Sequence, residues 1–315
     1  MIVFGPVPSR RLGRSLGVNH LPAKVCSYAC VYCQVGRTLK MQIQRQAFLP
    51  PEEVAEAVRK RVEQLRRQGE PPDFITFVPD GEPTLDQNLG RMLDLLRPLG
   101  IPLAVITNAS LLWQEEVQED LLKADFVSLK VDAVSEALWR RINRPHGSLR
   151  LSRILQAMLA FRKRFPGTLV TETMLVHVDY GDEFAHIAAF LKDLRPHRAY
   201  LAVPTRPPAE PWVEPPAPEV LHRAYRIFAE ALGEEHVEYL VGYEGDAFSS
   251  TGDAETDLLS ITAVHPMRED AVQALLQRSG ASWEVVERLI REGKLLRVEY
   301  QGHRYYLRAL PSRRR

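Results

Sequence analysis

The sequence has no run of about 18 apolar residues, the length a membrane-crossing helix needs. Nor do the residues from Met1 to Arg14 show the basic-then-apolar layout of a secretory leader. The expectation is a cytoplasmic protein without a membrane partner. Neither sign of charge dominates: 41 lysines and arginines against 40 aspartates and glutamates leave a net charge of +1, which excludes a general attraction to polyanions. Of the 315 residues 45% are hydrophobic and 26% charged, so a disordered or fibrous chain is excluded and one large domain plus one small one is accommodated. Cysteine is scarce. Cys26, Cys30 and Cys33 are all there are, and they fall within eight residues. An odd, clustered set excludes a disulfide framework.

Acidic residues are missing altogether before Glu52, whereas Arg10, Arg11, Arg14, Lys24, Arg37, Lys40 and Arg45 precede it. Such an excess marks a site for something anionic, the alternative being a solvated basic surface.

The three cysteines flank Ser27, Tyr28 and Tyr32 in a loop-like run, which suits metal binding better than burial in a core. A structural zinc site takes four tetrahedral ligands, and His20 is the one nearby candidate for a fourth. An iron–sulfur cubane normally takes four thiolates, so three leave one iron open, as in a catalytic rather than a structural metal site.

The spacing Cys-x3-Cys-x2-Cys, with Tyr32 just before the third cysteine, resembles the signature of the radical SAM superfamily. The resemblance implies that Cys26, Cys30 and Cys33 hold three irons of one 4Fe-4S cluster, and that the amino and carboxylate groups of S-adenosylmethionine (SAM) chelate the fourth. It also implies an electron donor such as ferredoxin or flavodoxin, and reductive cleavage of SAM to methionine and a 5′-deoxyadenosyl radical. Arginines around a negatively charged cluster would then have a purpose.

The rest of the chain supplies a scaffold. Asp73–Val78, Leu103–Thr107, Phe126–Val131, Thr168–Val176 and Ala199–Val203 read as buried strands, with a first strand near Ser15–Asn19. Helical patterns lie between them at Pro51–Gln68, Leu89–Leu99, Glu115–Lys123, Leu149–Phe165 and Phe184–Leu194. Alternation of this kind predicts an α/β fold of parallel strands, a partial (β/α)6 barrel, with ligands at the carboxyl ends of the strands.

Those strand ends carry the candidate residues. Asp80-Gly81-Glu82-Pro83 follows one strand and resembles the superfamily's Gly-Gly-Glu element, which receives the SAM amino group, with Asp80 in place of the first glycine. An ordinary Asp-Gly turn is the alternative. Asn108 follows the next strand and offers an amide to the ribose or carboxylate of SAM, or a helix cap. Alternation along Ser128-Leu129-Lys130-Val131-Asp132 puts Lys130 and Asp132 on one face, as SAM contacts or as a mutual ion pair. The expected cofactor set is thus Tyr32, Gly81, Glu82, Asn108, Lys130 and Asp132. Glu172, His177, Asp179, the loop Asn143–Gly147 and Thr205–Pro208 are further polar positions that touch substrate or serve as turns and caps.

Seven prolines between Pro204 and Pro218 predict a stiff extended connection, followed by a helix at Glu219–Leu232 and a strand at Val237–Val241. From Thr256 to Arg315 eleven cations face seven acids, and the pattern reads helix (Met267–Arg278), helix (Ser282–Glu292), then a hairpin around Gln301-Gly302. Ser282 is placed to cap the second helix and Gly293 to end it. That order resembles a winged-helix domain, which binds nucleic acid or peptide or only packs. The expected organisation is a barrel over residues 1–205, a Pro-rich connection over 206–252 and a winged-helix-like domain over 253–315.

The opening Gly5-Pro6-Val7-Pro8-Ser9-Arg10-Arg11-Leu12-Gly13, taken with the cysteines, resembles the branch of iron–sulfur oxidoreductases related to tRNA wyosine-base synthases. It departs from the archaeal enzymes of that branch in having no second cysteine triad. The resemblance implies modification of tRNA or another nucleic acid. Modification of a peptide or protein is the alternative, and a zinc-binding regulator the remaining one.

Overall fold

In the computed structural model, which describes residues 2–242, 245–246 and 248–313, strand and helix alternate much as expected. The strands are β1 (Val3–Ser9), β2 (Gly13–Val18), the two-residue pair β3 (Val25–Cys26) and β4 (Lys40–Met41), β5 (Phe74–Phe77), β6 (Leu103–Thr107), β7 (Phe126–Lys130), β8 (Thr168–Met174), β9 (Arg198–Ala202) and β10 (Val237–Leu240). One eight-stranded sheet runs in the order β1-β2-β5-β6-β7-β8-β9-β10. From β2 to β10 every neighbouring pair is parallel, and only the β1–β2 hairpin is antiparallel. The partial barrel therefore has one parallel strand more than the six expected, because Val237–Leu240 joins its edge. The two edge strands come close: Arg10 Nη1 donates to the carbonyl of Val241 at 2.5 Å, linking the β1–β2 turn to the end of β10.

Helices α1 (Pro51–Arg67), α2 (Leu89–Leu96), α3 (Glu115–Leu121), α4 (Glu136–Ile142), α5 (Leu151–Arg164), α6 (Glu183–Leu194) and α7 (Pro218–Leu232) connect them. In α1, Pro51 opens the first turn and Glu52 and Glu53 meet its positive end, while Val54, Ala55, Val58, Val62 and Leu65 make the stripe buried on the sheet. The sheet residues opposite, Ile75, Phe77, Leu103 and Val105, are fully buried.

His20 follows β2 but faces away from the cysteines. Its ring packs edge-on against Phe77 at 5.4 Å, and Nε2 lies 3.4 Å from the Pro83 carbonyl, so it is a core histidine rather than a fourth ligand. Burial lowers its pKa from 6.5 to about 4, so the folded chain refuses a proton that the unfolded chain takes. Stability is expected to fall as pH drops from 6.5 toward 4, by at most about 3 kcal/mol. Urea unfolding at pH 7, 5 and 4 checks this: His20→Gln should flatten that slope, and equal slopes would refute the assignment.

The last segment holds α8 (Ala254–Val264), β11 (Met267–Arg268), α9 (Glu269–Ser279), α10 (Glu284–Arg291), β12 (Leu295–Tyr300) and β13 (His303–Arg308), with sheet order β11-β13-β12. Both expected helices and the hairpin are present, preceded by α8 and a short strand. Ser282 does not cap α10. Its N-cap is Trp283, without a side-chain cap bond, and the Trp283 ring meets Tyr306 edge-on at 5.6 Å, which fixes the start of the helix by packing instead. Gly293, at φ 67°, does end it. This segment is not separate from the barrel: Phe4 and Val7 of β1 share an apolar cluster with Leu258, Ile261 and Met267. Tyr305 and Tyr300 also donate to the carbonyls of Thr205 (2.7 Å) and Pro204 (3.3 Å). Tyr243, Glu244 and Ala247, in the Pro-rich connection expected over 206–252, and Arg314 and Arg315, at the end of the basic C-terminal segment, lie outside the described residues.

Candidate functional site

The cysteine loop is laid over the carboxyl ends of the strands by backbone bonds rather than by regular structure. Val31 N donates to the Ile142 carbonyl (2.9 Å), Ala29 N to Asn143 (3.1 Å), and Tyr28 stacks edge-on with Trp139 while accepting from its Nε1. Cys26, Cys30 and Cys33 consequently line one cavity of about 290 Å³, together with Tyr32, Gly81, Glu82, Asn108, Lys130 and Glu172.

The three thiols have unequal surroundings. Burial pushes Cys26 up to about 11 and Cys30 up to about 12, the latter helped by Asp132. Burial would raise Cys33 too, but Lys24, whose Nζ donates to Cys33 Sγ at 3.1 Å, outweighs it and brings the thiol below its usual value. Lys24 is itself buried and is held protonated, burial being overcome by the sulfurs it faces.

Glu82 is buried and its carboxylate is saturated from the protein. Oε1 accepts from Thr84 N (3.0 Å), Thr84 Oγ1 (2.6 Å) and Thr107 Oγ1 (2.5 Å), and Oε2 from Asn108 N (2.8 Å). It ties the turn after β5 to the end of β6. Asn108 in turn donates to Ser27 Oγ (2.9 Å) and lies 3.7 Å from Cys26 Sγ, so it joins β6 to the cysteine loop rather than capping a helix. Gly81 is required by contact: a Cβ there would sit 2.1 Å from the Val25 carbonyl oxygen, a backbone atom. Gly81→Ala is expected to cost about 1–3 kcal/mol, as overpacking does, and to loosen the segment leading into Cys26. Thermal unfolding against wild type checks it, and an unchanged midpoint would show that the segment yields freely. Asp80 does not line the cavity; its carbonyl receives Lys24 N (3.0 Å) and its buried side chain is pushed toward the neutral form by burial.

Lys130 and Asp132 form the mutual ion pair, at 3.2 Å, within a larger network. Lys130 Nζ donates to Glu172 (2.9 Å), Arg11 Nη1 donates to the other Glu172 oxygen (2.5 Å), and Asp132 accepts from Tyr32 Oη, Asn143 Nδ2 (2.6 Å) and Met174 N (2.8 Å). The Lys130 ammonium also stands over the Tyr32 ring at 4.9 Å. Asp132 is fully covered and lies behind the cavity wall, whereas Lys130, Glu172 and Arg11 reach the cavity. Burial would raise Glu172, yet Lys130 and Arg11 hold it at about 2. His177 and Asp179 lie away from the cavity, the first on the Glu214 carbonyl and the second on Gly181 N, while Thr205 and Arg206 line it.

Lys24, Arg11 and Asn143 are the participants that sequence reasoning did not single out. Membership of the acid-free opening segment was the one signal for the first two, and Asn143 stood only within a loop of interest.

Among the described residues no three His, Cys, Asp or Glu side chains converge closely enough to hold a single metal ion. A cluster takes one thiolate per iron, so its ligands need not meet at one point, and three thiols around one cavity suit it where a lone zinc would need convergence.

The fold and this cavity define a radical SAM enzyme, and a family profile described as the radical SAM superfamily matches residues 21–191. The chain belongs to that superfamily, whose cofactors are a 4Fe-4S cluster and SAM. It is 47% identical to a UPF0026 protein of Methanocaldococcus jannaschii over 314 residues, 99% of this chain and 97% of that one. Among solved structures, a radical SAM methyltransferase from Sphaerobacter thermophilus matches with a TM-score of 0.56 and 17% identity, covering 72% of this chain and 67% of that one. SuiB of Streptococcus suis bound to S-adenosylmethionine matches with a TM-score of 0.54 and 14% identity over 72% of this chain, which spans about half the length of SuiB. Among the described residues no helix is long and apolar enough to cross a membrane.

Proposed function

We propose that Cys26, Cys30 and Cys33 hold the cluster, that SAM lies against Gly81, Glu82, Asn108, Lys130 and Tyr32, and that the substrate is a nucleic acid, tRNA first. When bound, cluster and SAM together supply a carbon radical that abstracts hydrogen. The chain's own residues do the rest. Gly81 lets the backbone approach closely, Glu82 and Asn108 fix the ends of β5 and β6 against the cysteine loop, and Lys130 presents a cation to the cavity for a carboxylate. Asp132 acts through its partners, holding Lys130, Tyr32 and Asn143 in place. The electron comes from a small donor of the ferredoxin or flavodoxin kind.

The observation that carries the nucleic-acid reading is the charge around the cysteine loop. Arg37 and Lys40 on that loop, and Arg140, Arg141, Arg144, Arg150 and Arg153 on the loop and helices packed beside it, are exposed. Their acidic neighbours are few: Glu210 takes Arg37 and Arg144, and Glu136 takes Arg140. A cationic face beside the reaction cavity suits a phosphate backbone. We read residues 253–315 as a winged-helix-like module, supported by their element order. Its α10 alternates exposed Glu284 and Glu287 with arginines, which suits packing or protein contact better than a groove of nucleic acid.

The test is anaerobic incubation of the reconstituted enzyme with SAM, reductant and either unmodified tRNA or a protein extract. A new nucleoside mass in digested tRNA, together with 5′-deoxyadenosine above the substrate-free level, supports the reading. A mass change confined to protein overturns it in favour of the peptide or protein alternative.

A further inference from the structure

Two cations from opposite ends of the sequence, buried Lys24 and half-buried Arg313, meet beside Cys33. Lys24, two residues before Cys26, is 3% exposed and takes a left-handed backbone at φ 57°. Its amide is tied to the Asp80 carbonyl and its own carbonyl receives Leu39 N and Lys40 N, so the ammonium has little freedom to leave Cys33 Sγ. Arg313 reaches the same corner from the C-terminal segment. Its Nη1 donates to Thr262 O (2.6 Å) and its Nη2 to Ala263 O (3.0 Å) and to the carbonyl of Gln34 (3.2 Å), the residue following Cys33. The guanidinium is buried deeply enough that its pKa drops to about 10, against the pull of Cys33 and Asp80. Carbonyls take its Nη1 and Nη2 donors, leave the buried Nε without a hydrogen-bond partner, and do not neutralise its charge. Asp80, the acid that acts on it, is drawn toward its neutral form, and its Oδ1 has no hydrogen-bond partner.

Among the described residues no cation donates directly to the other two sulfurs, although the Lys24 ammonium also acts on Cys26 and Cys30, and Lys130 on Cys30. Cys26 and Cys30 are approached by the neutral amides of Asn108 (3.7 Å) and Asn143 (3.5 Å). The direct contact between an ammonium and a sulfur is therefore at the third cysteine.

We propose that Lys24 and Arg313 are positioning residues that raise the reduction potential of the cluster. The inference rests on the assignment of the three cysteines as its ligands. Three thiolates on a doubly charged cubane carry a net charge of −1, and one electron from a low-potential one-electron reductant makes it −2, with no proton taken up. A fixed cation in a low-dielectric corner stabilises the second state more than the first, so its presence moves the potential upward. Hydrogen bonding to a cluster sulfur acts in the same direction. Arg313 further makes the C-terminal segment part of the redox site, because the carbonyls of α8 and of the cysteine loop share its guanidinium.

The experiment uses full-length wild type, R313Q, R313K, K24Q and a variant with all three cysteines changed to alanine, each reconstituted anaerobically. Iron, sulfide and visible absorbance are measured first. A cluster retained at wild-type content without the cysteines would sink the ligand assignment on which the inference rests. With that settled, midpoint potentials are read by EPR-monitored titration without SAM. R313Q and K24Q are expected to shift to more negative potential, K24Q the more because it contacts sulfur, and R313K to stay near wild type. Arg313 with a merely structural role would change cluster content or stability while leaving the potential in place. Wild-type potentials in R313Q and K24Q at full cluster content would overturn the proposal. Should K24Q fail to fold, R313Q against R313K decides it alone.

Discussion

Cys30→Ala is expected to leave a chain that folds, carries less iron than wild type and forms no detectable 5′-deoxyadenosine from SAM under reducing conditions. Folding should survive because Cys30 is only half-buried and the groups at its sulfur, the Asn143 amide at 3.5 Å and the Tyr32 hydroxyl, are neutral and keep Asp132 as a partner, so its loss strands no charge. The cluster should not survive intact, because with only three cysteines in the sequence no spare thiolate can take its place. Iron and sulfide content, the visible spectrum and a chromatographic assay for 5′-deoxyadenosine check the three parts separately. Full SAM cleavage by Cys30→Ala would remove the cysteine loop from the reaction altogether. Stoichiometric zinc in place of iron in the wild type would return the regulator alternative to the front.

The sequence displayed the barrel because its strands are buried on both faces. Phe74–Phe77, Leu103–Thr107 and Phe126–Lys130 are short apolar or β-branched runs between amphipathic helices, and such runs have few other places to go. Strand β1 was hidden for an equally physical reason. Val3–Ser9 contains Pro6 and Pro8, which argue against a strand in the middle of a sheet, but β1 is an edge strand, where a missing N–H costs little. Val237–Leu240 read as a strand yet not as part of the barrel, since its parallel pairing with β9 depends on a 34-residue excursion, residues 203–236, through the prolines and α7.

The site was legible where chemistry is local and opaque where it is not. The cysteine spacing and the Asp80–Glu82 turn lie within a few residues and stand out by resemblance. Alternation put Lys130 and Asp132 on one face and Glu172 stood out as a polar residue in an apolar strand, but nothing local joined Glu172 to Lys130, with which it is in register across the β7–β8 pair, or brought in Arg11 from the β1–β2 turn. Arg313 is further still from the loop it touches, and no local pattern links residue 313 to residue 34. Glu82 shows a subtler limit. Its position was readable, but its carboxylate is spent on Thr84, Thr107 and Asn108, so its main work is to hold two strand ends in place.

Lys130 separates the two purposes that sequence alternation left open. It faces the cavity, where a cation suits the carboxylate of SAM, and it neutralises Glu172 and Asp132 in a place with little solvent. Removing one member of a buried ion pair strands the rest, at a cost of about 3–5 kcal/mol. Lys130→Met should therefore destabilise the apoprotein by about that amount, with Arg11 limiting the damage at Glu172 and the neutral donors Tyr32, Asn143 and Met174 N left to hold Asp132. The double variant Lys130→Met, Asp132→Asn should recover part of the loss, because the asparagine oxygen can still accept from Met174 N and its Nδ2 can donate to the Tyr32 hydroxyl, without leaving a bare charge. Urea unfolding of the three proteins without cofactors reads the structural part, and SAM affinity of the reconstituted double variant reads the binding part. Restored stability with weakened SAM binding assigns Lys130 both roles. Wild-type stability in the single variant would mean that the network carries far less energy than its geometry and burial imply.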